Sequence, residues 1–132
     1  MVYFQTDYLL VEYHVASHVL LSQWYGKCSS LQYRQALIKL IRLARELEAP
    51  YAITDSRLLS PLDPDDLAWT RDIFAQAFGQ LPFKRSASLK PFDPTASRQF
   101  QQVFANSSSP LPFETREFED LTSAYEWLIS EE

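Results

Sequence analysis

The fold of this chain is decided by residues 29–57, which read SSLQYRQALIKLIRLARELEAPYAITDSR. Ser29 and Gln32 form a capping box, in which each side chain satisfies an otherwise unpaired backbone donor of a helix. Apolar residues then recur at helical spacing, which predicts an amphipathic helix from Ser30 to Glu48. The short apolar segment Tyr51–Thr54 that follows is typical of a buried strand. The predicted buried face of the helix consists of Tyr33, Ala36, Leu37, Leu40, Ile41, Ala44 and Leu47. The predicted water-facing side carries Arg34, Arg42 and Arg45.

Segments on both sides of this stretch continue the alternation of strands and helices. Tyr8–His14 and His18–Tyr25 are rich in Tyr, Val and Leu and predict an N-terminal β-hairpin. Asp-Pro pairs at 63–64 and 93–94 each predict a helix start, because aspartate favours the N-cap and proline favours the first helical position. The remaining predicted elements are the strands Arg85–Leu89 and Phe113–Phe118 and a terminal helix around 121–128. Because helices separate successive strands, we predict one α/β domain over residues 1–132, with a mixed sheet of about five strands and about four helices.

Composition and charge exclude several classes of protein. Hydrophobic residues make up 46% of the 132 residues, which is enough for a folded core. The formal net charge of -5 argues against nucleic acid as a partner. No apolar run approaches the roughly 20 residues of a membrane span, and no basic start followed by an apolar stretch opens the sequence. With Cys28 as the single cysteine, we expect a cytoplasmic protein without an intrachain disulfide.

The charges are unevenly distributed along the chain. From Lys27 to Arg45 there are five basic residues and no acidic one, whereas from Glu114 to Glu132 there are seven acidic residues and one basic residue. One interpretation is that a basic helix meets an acidic C-terminus, either across the fold or across a dimer interface. The other interpretation is a basic patch that binds an anionic partner.

Short motifs spread over nearly the whole chain carry a family resemblance. They are Trp24-Tyr25-Gly26 at the end of the second predicted strand, the long helix, residues 53–57, the acidic helix start before Trp69, and residues 124–128. Together with the order of the elements, they resemble the STAS domain, which is the fold of anti-sigma-factor antagonists. Within that group the chain resembles most the small free-standing SpoIIAA-like domains of bacteria. The resemblance implies a STAS-like mixed sheet and a role in regulation through a protein partner.

The phosphorylation motif of the antagonists is not matched in this sequence. In antagonist-type STAS domains, a partner kinase phosphorylates a serine in an Asp-Ser-Ser/Thr-Gly motif at a helix N-terminus. Here the single Asp-Ser pair is Asp55-Ser56, and Arg57 stands where that motif has Ser or Thr. The resemblance therefore does not carry the phosphorylation switch over to this chain.

Asp55, Ser56 and Arg57 are the candidate ligand- or partner-binding residues. They directly follow the predicted strand Tyr51–Thr54, and ligands of open α/β sheets bind outside the carboxyl ends of the strands. The next segment, Leu58–Leu62, could form a loop that covers such a site. A plainer interpretation is that Asp55 and Arg57 only tie this loop down, through an ion pair or backbone hydrogen bonds.

No other set of residues predicts catalysis, a metal or a cofactor. His14 and His18 flank the predicted hairpin turn and Glu12 shares a strand face with His14, but a zinc site needs three or four converging ligands. Cys28 lies beside Lys27 near a helix N-terminus, where its pKa could fall, although an unreactive structural thiol is the simpler interpretation. The chain has no Gly-x-Ser-x-Gly motif and, with two distant glycines, no Gly-rich phosphate loop. We therefore predict no catalytic residues, no metal and no cofactor.

The sequence favours a non-enzymatic STAS-like regulatory or protein-interaction module. We expect an unidentified protein partner and a homodimer, with no nucleic-acid partner and no membrane span. The alternative is a carrier or sensor of a small apolar ligand, held in an aromatic-lined pocket near Asp55 and Arg57; such a pocket would hold at least about 300 Å³. An enzyme is the third hypothesis, and it would require titratable groups that converge in a cleft.

Overall fold

The structure, a computed structural model, describes residues 1–105 and 111–130, with residues 104 and 105 described by their backbone only. Its strands are β1 (Val2–Gln5), β2 (Leu9–His14), β3 (Val19–Gly26), β4 (Tyr51–Leu59), β5 (Arg85–Leu89) and β6 (Glu114–Phe118). Its helices are α1 (Ser30–Glu46), α2 (Pro64–Ala77), α3 (Pro94–Ala105) and α4 (Leu121–Ile129), with a 3-10 turn at Phe78–Gln80. The strands form one sheet in the order β1-β2-β3-β4-β5-β6. Pairing is antiparallel from β1 to β3 and parallel from β3 to β6. No helix in the described ranges is long and apolar enough to cross a membrane.

The two faces of the sheet carry separate apolar cores. One face is covered by α1, α2 and α3, and the other is covered by α4. Alternation along β2 buries Leu9, Val11 and Tyr13 on the first face and leaves Leu10 half-buried on the second, which explains the uninterrupted apolar run in this strand. The core on the α4 face consists of Val19, Leu21, Ile53, Ala87, Leu89, Ala124 and Leu128. The core on the other face includes Leu9, Val11, Leu20, Trp24, Tyr33, Ala36, Leu37 and Ala44.

The helix starts that the sequence predicts are confirmed. Both hydrogen bonds of the capping box are present, from the Ser29 backbone N–H to Gln32 Oε1 at 2.9 Å and from the Gln32 backbone N–H to Ser29 Oγ at 3.1 Å. Helices α2 and α3 begin at Pro64 and Pro94, as the two Asp-Pro pairs predict. The Asp93 carboxylate accepts the first backbone N–H groups of α3. The predicted α/β class with a mixed sheet is therefore confirmed.

Sequence reasoning missed β1, so the sheet has six strands rather than about five. This strand is only four residues long and most of it is exposed. Its pairing with β2 is irregular between Val2 and Phe4, so the apolar residues do not alternate as they do in a regular strand. Phe4 alone packs on the helix-covered core, and a single anchoring residue gives little periodic signal.

Two residues of α1 depart from the predicted pattern. Leu40, in the middle of the apolar face, is half-buried rather than buried and borders a cavity. Arg34 faces water only in part, with its side chain 36% exposed: its Nε donates to Asp66 Oδ1 at 2.8 Å, and its guanidinium lies 5.2 Å from the centroid of the Trp69 ring. Arg34 of α1 therefore helps to hold α2 in place.

The basic helix and the acidic C-terminal part do not meet within the fold. Helix α1 lies on one face of the sheet, whereas α4 lies on the other. Acidic residues of β6 instead pair with cations of β5 and the segment after it, at 3.9 Å for Arg85–Glu114 and at 2.9 Å for Lys90–Glu117. The predicted contact across the fold is therefore wrong, and a contact across a dimer interface stays a prediction.

Candidate functional site

Asp55, Ser56 and Arg57 lie inside β4 rather than after it. The strand continues to Leu59, and its extra residues pair with the end of β3, where Tyr25 lies opposite Leu58 and Gly26 opposite Leu59. The predicted covering loop is therefore shortened by two residues. Because side chains alternate along a strand, Asp55 and Arg57 share the α4 face of the sheet, and Ser56 lies on the opposite face. The structure brings two of the three candidate residues together and separates the third.

The carboxylate of Asp55 is the centre of a hydrogen-bond network. It accepts bonds from Arg57 Nε at 3.0 Å, from Arg57 Nη2 at 2.9 Å and from the Arg57 backbone N–H at 3.2 Å. Gln23 on β3 donates through Nε2 at 3.1 Å, and the Tyr25 hydroxyl donates to Gln23 Oε1 at 3.2 Å. The network joins β3 to β4 next to an irregularity in their pairing. This ion pair explains how two charged residues are accommodated within a strand.

Hydrogen bonding determines the protonation state of Asp55. The residue is only 6% exposed, and burial by itself raises the pKa of its carboxyl. The hydrogen bonds from Arg57 and Gln23 outweigh that effect and hold the pKa below its ordinary value. Asp55 is therefore ionised at neutral pH and is an acceptor only.

The lowered pKa of Asp55 predicts a loss of stability in acid. Because the folded-state pKa lies below the unfolded value of about 3.9, the contribution of Asp55 is complete above that value and disappears as pH falls through the folded pKa. Replacement of Asp55 by Asn is expected to cost about 1–3 kcal/mol at pH 7. In urea unfolding, the difference from the unsubstituted chain should be smaller at about pH 3, below the unfolded pKa, than at pH 7.

The exposed Asp7→Asn is the matched control for this measurement. It removes the same type of charge where no hydrogen bond of its side chain to the described residues is present, and it should change stability little at either pH. An equal loss for Asp55→Asn at both pH values would contradict the assigned role of the carboxylate.

An open cleft of about 580 Å³ lies at the carboxyl ends of β4, β5 and β6. Arg57, from β4, forms one wall, and its side chain is 27% exposed. The Phe92 ring protrudes after β5 and is 70% exposed, while its backbone N–H donates to the Arg57 carbonyl at 3.0 Å. Lys90 Nζ lies 2.9 Å from Glu117 Oε2. The lining residues are Arg57, Lys90, Pro91, Phe92, Glu117, Phe118 and Glu119. We name this feature the carboxyl-edge cleft.

Sequence reasoning found one wall of the carboxyl-edge cleft and missed the others. The rule that led to Arg57, that ligands bind beyond the carboxyl ends of parallel strands, applies equally to the ends of β5 and β6. Applied to the predicted strands Arg85–Leu89 and Phe113–Phe118, it points to residues 90–92 and 119–120. The residues that follow β5 and β6 were therefore predictable from the sequence by the same rule.

Ser56 faces a different region of the molecule. It is 3% exposed and lines a cavity of about 90 Å³ between the sheet and α1, α2 and α3. A neighbouring cavity of about 80 Å³ shares five lining residues with it, namely Trp24, Leu37, Thr54, Phe74 and Phe78. The alternative function placed an aromatic-lined pocket near Asp55 and Arg57, but neither residue lines these two cavities, because both lie on the other face of the sheet. Each cavity is also well below the roughly 300 Å³ typical of drug-sized ligands.

The histidines and the cysteine do not assemble a further site. His14 Nε2 lies 3.2 Å from Glu12 Oε2, and His18 Nδ1 lies 3.2 Å from the Tyr13 hydroxyl. In the part of the chain that the structure describes, no three His, Cys, Asp or Glu side chains are close enough to hold a metal ion. Burial and then the charge of Asp66 raise the pKa of the Cys28 thiol, so the idea of a lowered pKa beside Lys27 is wrong.

Comparisons with known proteins bear on the fold. No protein-family model matches the chain, and no curated protein matches it. A crystal structure of an uncharacterized protein of the DUF3478 family from Shewanella loihica PV-4, described as having a SpoIIAA-like fold, aligns with a TM-score of 0.61. The alignment covers 96% of this chain and 98% of that chain at 22% sequence identity. The fold is SpoIIAA-like. The resemblance in sequence motifs and element order is thereby confirmed at the level of fold.

Within this SpoIIAA-like fold, Ser56 is not positioned as a phosphorylated antagonist serine would be. It lies in the middle of β4 and is almost fully buried, whereas helix α2 begins eight residues later at Pro64. A kinase has no access to this hydroxyl in the folded chain. Residues 55–57 therefore differ from the antagonist motif in sequence, and Ser56 also differs in position, because it lies in a strand rather than at a helix N-terminus.

Proposed function

We propose that this SpoIIAA-like chain is a non-enzymatic, STAS-like interaction module that binds a protein partner in the carboxyl-edge cleft. The proposal is carried by Phe92, which is 70% exposed and lines the cleft together with charged residues from three strand ends. Aromatic anchors surrounded by polar rims are characteristic of the energetically dominant part of protein interfaces. The backbone bond of Phe92 to the Arg57 carbonyl holds this anchor in a defined position before binding.

The lining of the cleft supports binding rather than catalysis. Its two cations are engaged, Arg57 by Asp55 and Lys90 by Glu117, and no Ser, Cys or His lines it among the described residues. A nucleophile beside a base, which most covalent catalysis needs, is therefore not assembled there. Glu119 is exposed and forms no ion pair with the described residues. We expect the partner to present an apolar side chain to Phe92 and a basic side chain to Glu119.

Association of two copies and a cytoplasmic location stay predictions. Among the described residues no strand pairs with the outer edge of β1, and Val2 and Tyr3 on that edge are 52% and 37% exposed. The opposite edge strand, β6, carries Glu114, Arg116 and Glu117, and such charges disfavour edge pairing. A two-fold pairing of β1 strands is therefore the arrangement we expect for a dimer. Light scattering tests whether the dimer forms, and a monomer at high micromolar concentration would contradict the prediction.

Site-specific photo-crosslinking in the native cell tests the proposed interaction. A photoreactive phenylalanine analogue at position 92 is expected to yield a discrete protein adduct, because the side chain would be enclosed by the partner. The control carries the same analogue at position 31, since Leu31 is similarly exposed, at 66%, but lies on α1 away from the cleft. No adduct at position 92, or the same adducts at both positions, would contradict a partner site at the cleft.

A further inference from the structure

Three buried serines line one side of the 90 Å³ cavity. Ser56 on β4 and Ser86 on β5 are each 3% exposed, and Ser88 on β5 is 7% exposed. The register of the two strands places Ser88 beside Thr54, two residues before Ser56 on the same face. The floor of this cavity is thus a patch of hydroxyl groups on the sheet, where apolar side chains would be the usual choice.

These three hydroxyls make no hydrogen bond to the described residues. Ser22, Tyr33 and Thr70, which also line the cavities, have paired hydroxyls: Ser22 Oγ donates to the Ile53 carbonyl at 3.5 Å, and the Tyr33 hydroxyl lies 2.7 Å from Thr70 Oγ1. No described side-chain nitrogen or oxygen is sealed in protein without a partner, so the three serine oxygens reach the cavity surface. A buried hydroxyl without a partner is destabilising. Three such groups around one space indicate a polar occupant.

The adjoining 80 Å³ cavity is mainly apolar, with Ser22 and Thr54 as its polar lining residues. Leu20, Leu40, Ile41 and Ala44 lie on its walls, and Trp24 and Leu37 line both cavities. None of the described residues that line either cavity is charged. The two cavities thus provide a hydroxyl-lined end and a hydrocarbon end, with no group to neutralise an ion.

We propose that the two neighbouring cavities together bind one small neutral amphipathic molecule, such as a short-chain alcohol or ketone. Its hydroxyl or carbonyl group hydrogen-bonds to Ser56, Ser86 and Ser88, and its hydrocarbon part fills the apolar end between Leu37 and Trp24. The two spaces together are comparable to the roughly 150 Å³ that admits benzene in a protein core, which corresponds to about six to eight non-hydrogen atoms. An ionised carboxylate is excluded because its charge would be buried without a counter-charge.

Titration with 1-hexanol, followed by amide NMR spectra and thermal unfolding, tests this site. Saturable shifts are expected at residues 56, 86 and 88, together with a rise in melting temperature, whereas hexanoate should produce neither effect.

The double variant Ser86→Ala with Ser88→Ala should bind 1-hexanol about tenfold more weakly, because hydrogen bonds are lost. Ser17→Ala is the control, since that half-buried hydroxyl is paired with the Tyr125 hydroxyl and lines neither cavity, and the affinity of this variant should change less than about twofold.

The same variants separate a ligand site from hydrated serines. Without ligand, the double variant should be as stable as the unsubstituted chain or more stable, because it removes unpartnered hydroxyls, so it remains folded for the measurement. Unsaturable or absent shifts with 1-hexanol, equal binding of hexanoate, or undiminished affinity in the double variant would each overturn the proposal and leave water as the occupant.

Discussion

Replacement of Leu128 by alanine is expected to lower the free energy of unfolding by about 2–5 kcal/mol. Leu128 is 0% exposed and packs with Leu21, Ile53 and Leu89 in the core between α4 and the sheet. Since α4 is the single described helix on that face, few neighbouring side chains can move in to fill the space. The change therefore combines lost burial with a cavity that persists.

The end of α4 is held in place, which keeps the expected cost of this substitution high. Arg85 Nη1 donates to the Trp127 carbonyl at 2.6 Å and to Ser130 Oγ at 2.7 Å, so the helix cannot easily shift onto the sheet. Ile129→Ala is the matched control in urea unfolding, because Ile129 is adjacent and 49% exposed, and it should cost less than about 1 kcal/mol. Equal losses for the two variants would mean that α4 does not cover the sheet as described.

Local chemical signals explain which elements the sequence predicts well. The capping box at Ser29 and the Asp-Pro pairs before α2 and α3 depend on neighbouring residues, so they predict helix starts to the residue. The short edge strand β1 depends on pairing with β2, which no local pattern in its four residues indicates. The sequence therefore does not predict β1, because its pairing with β2, rather than its own residues, stabilises it.

In the candidate site, too, the local sequence predicts some features and the pairing of strands determines others. The apolar run Tyr51–Thr54 predicts a strand that ends before Asp55, so the sequence places Asp55 and Arg57 beyond it. In the structure they neutralise each other on one face of β4, and Gln23 of β3 completes the network. An ion pair is one of the two contacts that the plainer interpretation of the sequence allows for Asp55 and Arg57. The continuation of the strand through these residues, and the separation of Ser56 from them, depend on the pairing of β4 with β3.

Loss of the Asp55–Arg57 pair is expected to weaken binding of the partner by about 30-fold or more, which is the effect of removing an interface arginine worth about 2 kcal/mol. Arg57 forms one wall of the carboxyl-edge cleft, and the pair fixes its guanidinium there. Substituting both residues leaves neither charge buried without its partner, so most of the stability should remain. The backbone bond that positions Phe92 uses the Arg57 carbonyl and does not depend on the side chain.

The affinity of the partner captured through position 92, measured by calorimetry for two double variants, tests the central claim most directly. Asp55→Ala with Arg57→Ala removes the ion pair of the cleft. Arg34→Ala with Asp66→Ala removes an ion pair of the same composition, at 2.8 Å, on the other face of the sheet. We expect the first variant to lose at least about 30-fold in affinity and the second to bind within about twofold of the unsubstituted chain. Equal affinities for the two variants, or affinities that only follow their unfolding free energies, would contradict a functional site at the carboxyl-edge cleft.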